Sequence, residues 1–200
     1  MSGGARSDAV TGPCACVTRR SLEQALILPA LILGALATAA TARAADRYLS
    51  AAADSGGPIR IERAKGLPIV LEADSGQVGF DAIAVAKDGR SVGWLALYAN
   101  CCTSYSIPLK LVIYTQGRRR TFEGTGLPIW RWRFSDEGTR VAFEQETVHG
   151  GIGIHYELRE VASGRLVEKY EPPAQPPDGS PAPTAEKVPA WVADLDAGKE

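Results

Sequence analysis

Glu137-Gly138-Thr139-Arg140-Val141-Ala142-Phe143-Glu144 is a turn running into a strand, and it has an earlier counterpart, Asp88-Gly89-Arg90-Ser91-Val92-Gly93-Trp94-Leu95. In each, an acidic residue and a glycine break the chain, and residues suited to a pleated, half-buried surface follow. Aligning Gly89 with Gly138 lays Val92 on Val141, Gly93 on Ala142 and Trp94 on Phe143. Working outward, the pattern predicts strands over 81–86, 91–98, 109–115 and 118–122. It then predicts strands over 129–134, 140–147, 154–161 and 165–170. Gln116-Gly117 and Ser163-Gly164 supply the matching later turns.

Four strands per unit, repeated, is how propeller blades read in sequence. The expectation is an all-β domain over 58–171, with repeat 1 over 78–126 and repeat 2 over 127–171. Each repeat is a four-stranded antiparallel, blade-like sheet. Pro58-Ile59-Arg60-Ile61 and Pro68-Ile69-Val70-Leu71 place two extra strands within 58–77, after a linker over 45–57. A closed propeller takes about four to eight blades. Two units therefore make an incomplete propeller or a sandwich, packed within one chain or completed by an oligomer. Arg118-Arg119-Arg120 on a return strand would keep an exposed edge from pairing with another chain.

Of 200 residues, 45% are hydrophobic and 22% charged, which excludes wholesale disorder. The 22 basic and 23 acidic side chains leave a net charge of −1, without the long-range field of a nucleic-acid binder. Arg19 and Arg20 precede an uncharged stretch over 24–42, and Ala42-Arg43-Ala44 has the small-x-small form of a cleavage site. Residues 1–44 are thus expected to be an export signal peptide that sends the protein to the periplasm or the outside. The alternative is a membrane anchor over 24–42, the only contact with a membrane that the sequence suggests. Seven of the 13 prolines fall between 171 and 189, so 172–200 reads as an extended or disordered tail. Its apolar patch, Pro189-Ala190-Trp191-Val192-Ala193-Asp194-Leu195, would fold back on the body or dock a partner.

Phe134-Ser135-Asp136-Glu137-Gly138-Thr139-Arg140-Val141-Ala142-Phe143 resembles the propeller repeat of TolB-type periplasmic proteins. That WD-like repeat runs Phe-Ser-Pro-Asp-Gly, two variable residues, then apolar-Ala-aromatic. Ala86-Lys87-Asp88-Gly89-Arg90-Ser91-Val92-Gly93-Trp94 is a second, less regular copy. Here Asp136 stands where the repeat has Pro, and Glu137 where it has Asp. The chain is also similar to small exported bacterial proteins of unassigned function with an Asn-Cys-Cys-Thr-Ser-Tyr run, here Asn100 to Tyr105. The resemblance covers 78–171 and implies a propeller-type architecture; it implies no activity.

Chemistry concentrates in two loops. Asn100, Cys101, Cys102 and Tyr105 lie between the second and third strands of repeat 1, and His149 and His155 in the matching region of repeat 2. These loops, 98–107 and 147–155, hold every cysteine and histidine beyond residue 44. Adjacent cysteines can form a strained vicinal disulfide, stay reduced or join two chains. Cys101, Cys102, His149 and His155 would suit zinc by donor type, although neighbouring cysteines seldom point at one ion. Ser91 lies in a Gly-x-Ser-x-Gly match, but a strand follows it where a nucleophile elbow needs a helix. Trp130, Arg131, Trp132 and Arg133 alternate, so the two tryptophans are expected on one face, either as core or as a ligand platform. Arg118, Arg119, Arg131 and Arg133 could hold an anion, yet no sequence signal puts them on one face. The expected function is binding of a protein or small ligand through both loops, without turnover, cofactor or nucleic acid. The alternatives are a thiol-redox or metal-dependent enzyme using Cys101, Cys102 and His149, and a purely structural envelope protein.

Overall fold

The computed structural model describes residues 46–54, 56–149, 153–173 and 187–197, all within the compact unit 42–200. The expected leader over 1–44, the 24–42 anchor and most of the proline-rich segment lie outside the described residues. Among those described, no helix is long and apolar enough to cross a membrane.

Among the described residues, eleven strands form three antiparallel sheets, none of them closed. The first holds β1 (Tyr48–Ala53), β2 (Ile59–Arg63) and β3 (Ile69–Leu71). The middle sheet is β4 (Gln77–Val85), β5 (Ser91–Tyr98), β6 (Ile107–Thr115) and β7 (Arg118–Glu123), in chain order. The last is β8 (Ile129–Ser135), β9 (Arg140–Gln145), β10 (His155–Glu160) and β11 (Leu166–Tyr170), again in chain order. The eight strands of the two four-stranded sheets thus fall where the turn signals place them. The segment read as a 45–57 linker is different, because it contains β1. Tyr48-Leu49-Ser50-Ala51-Ala52-Ala53 is poor in β-branched residues, so its strand character comes from pairing with β2 and burial of Tyr48.

The middle sheet is covered on both faces, which is why β5 reads as a continuous apolar run. Val92, Trp94, Ala96, Val112 and Tyr114 pack against Tyr48, Ile59 and Ile61 of the first sheet. On the other face, Leu95, Leu111, Ile113 and Phe122 meet Ile129, Trp132, Val141 and Phe143 of the last sheet. The last sheet's outer face is covered by the tail. Helix α1 (Ala190–Asp196) buries Val192 and Leu195 against Tyr156 and Tyr170. Seven residues are too few for a stable isolated helix, so this packing is what holds α1.

One expected face assignment is overturned. Ile129 pairs with Gln145 and Arg131 with Glu144, which leaves Trp130 as the extra residue of a bulge. Only Trp132 enters the core, whereas Trp130 Nε1 donates to Glu146 O at 3.1 Å. The bulge breaks the two-residue period on which the shared face depended.

Candidate functional site

The turns fix where the two chemical loops emerge. Asp88 N donates to Glu137 O at 3.4 Å and Lys87 Nζ meets Glu137 Oε1 at 2.7 Å, so the β4–β5 turn sits on the β8–β9 turn. Arg120 donates to Ser163 O and Ala162 O, joining β7 to the β10–β11 turn. The β5–β6 and β9–β10 loops leave the opposite ends of these hairpins. Loops 98–107 and 147–155 therefore emerge at the same end of the two sheets.

The first loop is tied together locally. Asn100 Nδ2 donates to Thr103 Oγ1 at 3.2 Å, and Asn100 Oδ1 accepts the Cys102 N–H at 3.4 Å. Thr103 Oγ1 donates to Tyr105 O at 2.6 Å. This local turn chemistry leaves Cys101, Cys102 and Tyr105 exposed at the tip. Both cysteines are free thiols, with Cys101 Sγ and Cys102 Sγ 2.8 Å apart. The hydrogen bond to Cys101 pushes the Cys102 thiol above its usual range, which favours the protonated form over a nucleophilic thiolate.

The second loop divides into an exposed part and an anchored part. His149 is exposed. His155 is buried, with both ring nitrogens engaged. Gly153 O can only accept, so Nδ1 carries the proton and donates to it at 2.9 Å; Nε2 lies 3.0 Å from the Thr125 hydroxyl. Thr125 N in turn donates to Gln145 Oε1 at 2.8 Å. Thr125 and Gln145 hold the base of this loop, yet neither belongs to a motif. A polar glutamine at the end of an apolar strand is the one signal that could have found them.

The arginines separate by face. Arg131 bonds Glu144 and, at 2.8 Å, Asp196 of α1, while Arg133 donates to Asp194 O. Arg118 and Arg119 stand on β7 of the middle sheet, so the four expected arginines share no face. Among the described residues, no three His, Cys, Asp or Glu side chains converge where a metal ion could sit, and Cys101, Cys102, His149 and His155 form no such cluster. Ser91 opens β5, buried, with its Oγ 2.7 Å from Thr115 Oγ1, in place of the histidine an acyl-transfer serine needs.

A groove of about 780 Å3 runs between β4, β8 and α1, past Ala82, Trp132 and Trp191. Most of its charged lining is engaged internally, Lys87 with Glu137, Asp136 with Arg140 and Arg133 with the α1 backbone, whereas the Asp194 carboxylate has no partner among the described residues. No family model matches this chain, and no curated protein matches it.

Proposed function

We propose that the protein is an exported, non-catalytic binding module whose recognition surface is formed by loops 98–107 and 147–155. One observation carries this reading: Cys101, Cys102, Tyr105 and His149 are exposed on two loops at the same end of a doubly packed β scaffold. A rigid scaffold presenting variable loops recognises partners without reorganising its core. In this reading the two four-stranded sheets are propeller-type blades. Their aligned positions support it, since Val92 and Trp94 face the preceding sheet, as do Val141 and Phe143. The first sheet then acts as a partial blade, and α1 covers the face a further blade would occupy.

Capture from envelope extracts tests the proposal. Bait protein with Tyr105→Ala and His149→Ala should lose the partner that wild type retains, with an unchanged thermal midpoint. Recovery of the same proteins by both baits would overturn it.

The sulfur geometry favours one second reading, a dithiol that reports redox state. Both thiols would pass two electrons and two protons to a partner disulfide, leaving Cys101 and Cys102 joined and the partner as two thiols. Alkylation followed by mass measurement should then show Cys101 and Cys102 blocked after a mild dithiol and neither blocked after oxidation. Equal labelling in both states would remove this reading.

A further inference from the structure

The other end of the scaffold, where the tight turns meet, carries chemistry that the loops do not use. The middle and last sheets part there around a cleft of about 730 Å3. Val161 and Ala162 give it an apolar floor over the buried Ile113, and Arg90, Arg118 and Arg120 stand along it, with Arg119 between the last two on β7. Asp88 is the one acidic residue of the lining, so with Arg119 paired to Asp74 outside it the formal charge facing the cleft is three minus one, or +2. The Asp88 carboxylate is turned toward the chain, where Oδ1 accepts the Arg90 N–H at 2.9 Å.

The sequence builds this arrangement through one hairpin. Gln116 (φ +48°) and Gly117 (φ +82°) form the two-residue connection between Thr115 and Arg118, and such a turn needs positive φ at both positions. Ser91 pairs with Thr115 and Thr115 with Arg118, so the three side chains share the face turned toward the last sheet. Arg120, two residues on, shares that face and is pinned by Ser163 O at 3.0 Å and Ala162 O at 2.6 Å. Arg119 points the other way, to Asp74 Oδ1 at 2.8 Å and Glu72 O at 3.0 Å. The Arg90 and Arg118 side chains have no hydrogen-bond or ion-pair partner among the described residues. The fold thus holds two arginines by its own contacts and leaves two beside an apolar floor and the half-buried Ser91–Thr115 hydroxyl pair.

We infer that this cleft binds a small organic anion, a carboxylate or phosphate whose apolar body rests on Val161 and Ala162 while Arg90 and Arg118 hold its charge. The planar guanidinium fork matches either headgroup in a bidentate manner. The apolar floor rewards a ligand that is more than a bare ion. The site lies at the opposite end from the loops and does not depend on their reading.

Titration calorimetry of the full chain in low-salt buffer tests this, with phenyl phosphate, benzoate and inorganic phosphate as probes. At least one of the two aromatic anions should saturate at one per chain, and the tighter identifies the headgroup. Inorganic phosphate should bind at least about tenfold more weakly than phenyl phosphate, because it buries no apolar surface. Joint Arg90→Gln and Arg118→Gln substitution should weaken binding by at least about tenfold without lowering the thermal midpoint, since neither side chain has a partner among the described residues. Arg60→Gln, on the first sheet, should leave affinity unchanged. Absence of saturable binding by either aromatic anion, or equal affinity in the double variant, would overturn the site. Equal binding of inorganic and phenyl phosphate would overturn the role of the floor.

Discussion

Gly93 shows how little room the sheet interface leaves. A Cβ at this position would stand 2.3 Å from Trp132 Cη2 and 2.6 Å from Ile113 Cδ1. Trp132 is held from the other side, because its Nε1 donates to Ala82 O at 3.0 Å in the β4 bulge and its ring meets Phe134 edge-on at 5.0 Å. The indole cannot withdraw without losing this hydrogen bond. Gly93→Ala should therefore cost about 1–3 kcal/mol, the usual range for overpacking. Urea unfolding checks this, and an unchanged midpoint would mean that Trp132 is not fixed there. Tyr156 makes a second residue-scale case. Burial first, then the negative charges of Glu144 and Asp196, push its phenol up to about 12. A folded value above the unfolded one, near 10, means the folded state holds the proton more tightly. The resulting stability is fully present below about pH 10 and is lost as pH rises through about 12. In a phenolate absorbance titration, Tyr156→Phe should remove a step at the alkaline end and Asp196→Asn should move that step to lower pH. A profile unaltered by either change would contradict this account.

Two elements account for most of the difference between sequence and structure. Helix α1 comes from a patch whose folding back was one of two expectations; its helical form was not among them. Trp191, Val192 and Leu195 are spaced as one side of a helix, but seven residues give too short a period to separate helix from extended chain. The decision is made by Tyr156 and Tyr170, which offer an apolar face on the outside of the last sheet. Leu195 is 4% exposed, so Leu195→Ala should lower unfolding free energy by about 2 kcal/mol. No change would mean that α1 does not rest on the sheet in solution. Strand β1 escaped notice for a related reason, since its alanines carry no β signal and only its partners make it a strand. By contrast, the strands of the two four-stranded sheets are legible. Their turns contain glycines at Gly89, Gly117, Gly138 and Gly164 that adopt positive φ, a backbone need that is written in residue identity. The loops were legible as places where cysteine and histidine collect. Which of those side chains face solvent was not, because burial of His155 depends on Thr125, a residue of a different connection. The cleft arginines were half legible: the run 118–120 is plain in sequence, whereas its nearness to Arg90 follows only from the pairing of β5, β6 and β7.

At the scale of the whole molecule, the middle sheet decides how the described domain unfolds. It shares one core with the first sheet and another with the last, and the two cores meet back to back across β5 and β6. Trp94, 2% exposed, belongs to one core, and its neighbour Leu95, 1% exposed, to the other. Neither outer sheet can detach without uncovering a face of the strands that support the opposite core. The first sheet alone, with three short strands, would not be stable in water. Cooperative loss of all three sheets is therefore expected. Trp94→Ala and Phe143→Ala test it, one from each core, and each should cost about 3–5 kcal/mol. Far-ultraviolet dichroism and tryptophan fluorescence should report a single shared midpoint in both variants, because Trp130, Trp132 and Trp191 sit on the last sheet and α1 while dichroism samples all strands. If the sheets were independent, Trp94→Ala would bring forward the dichroism change and leave the remaining fluorescence transition in place. Such a split would show that the two cores do not communicate through β5.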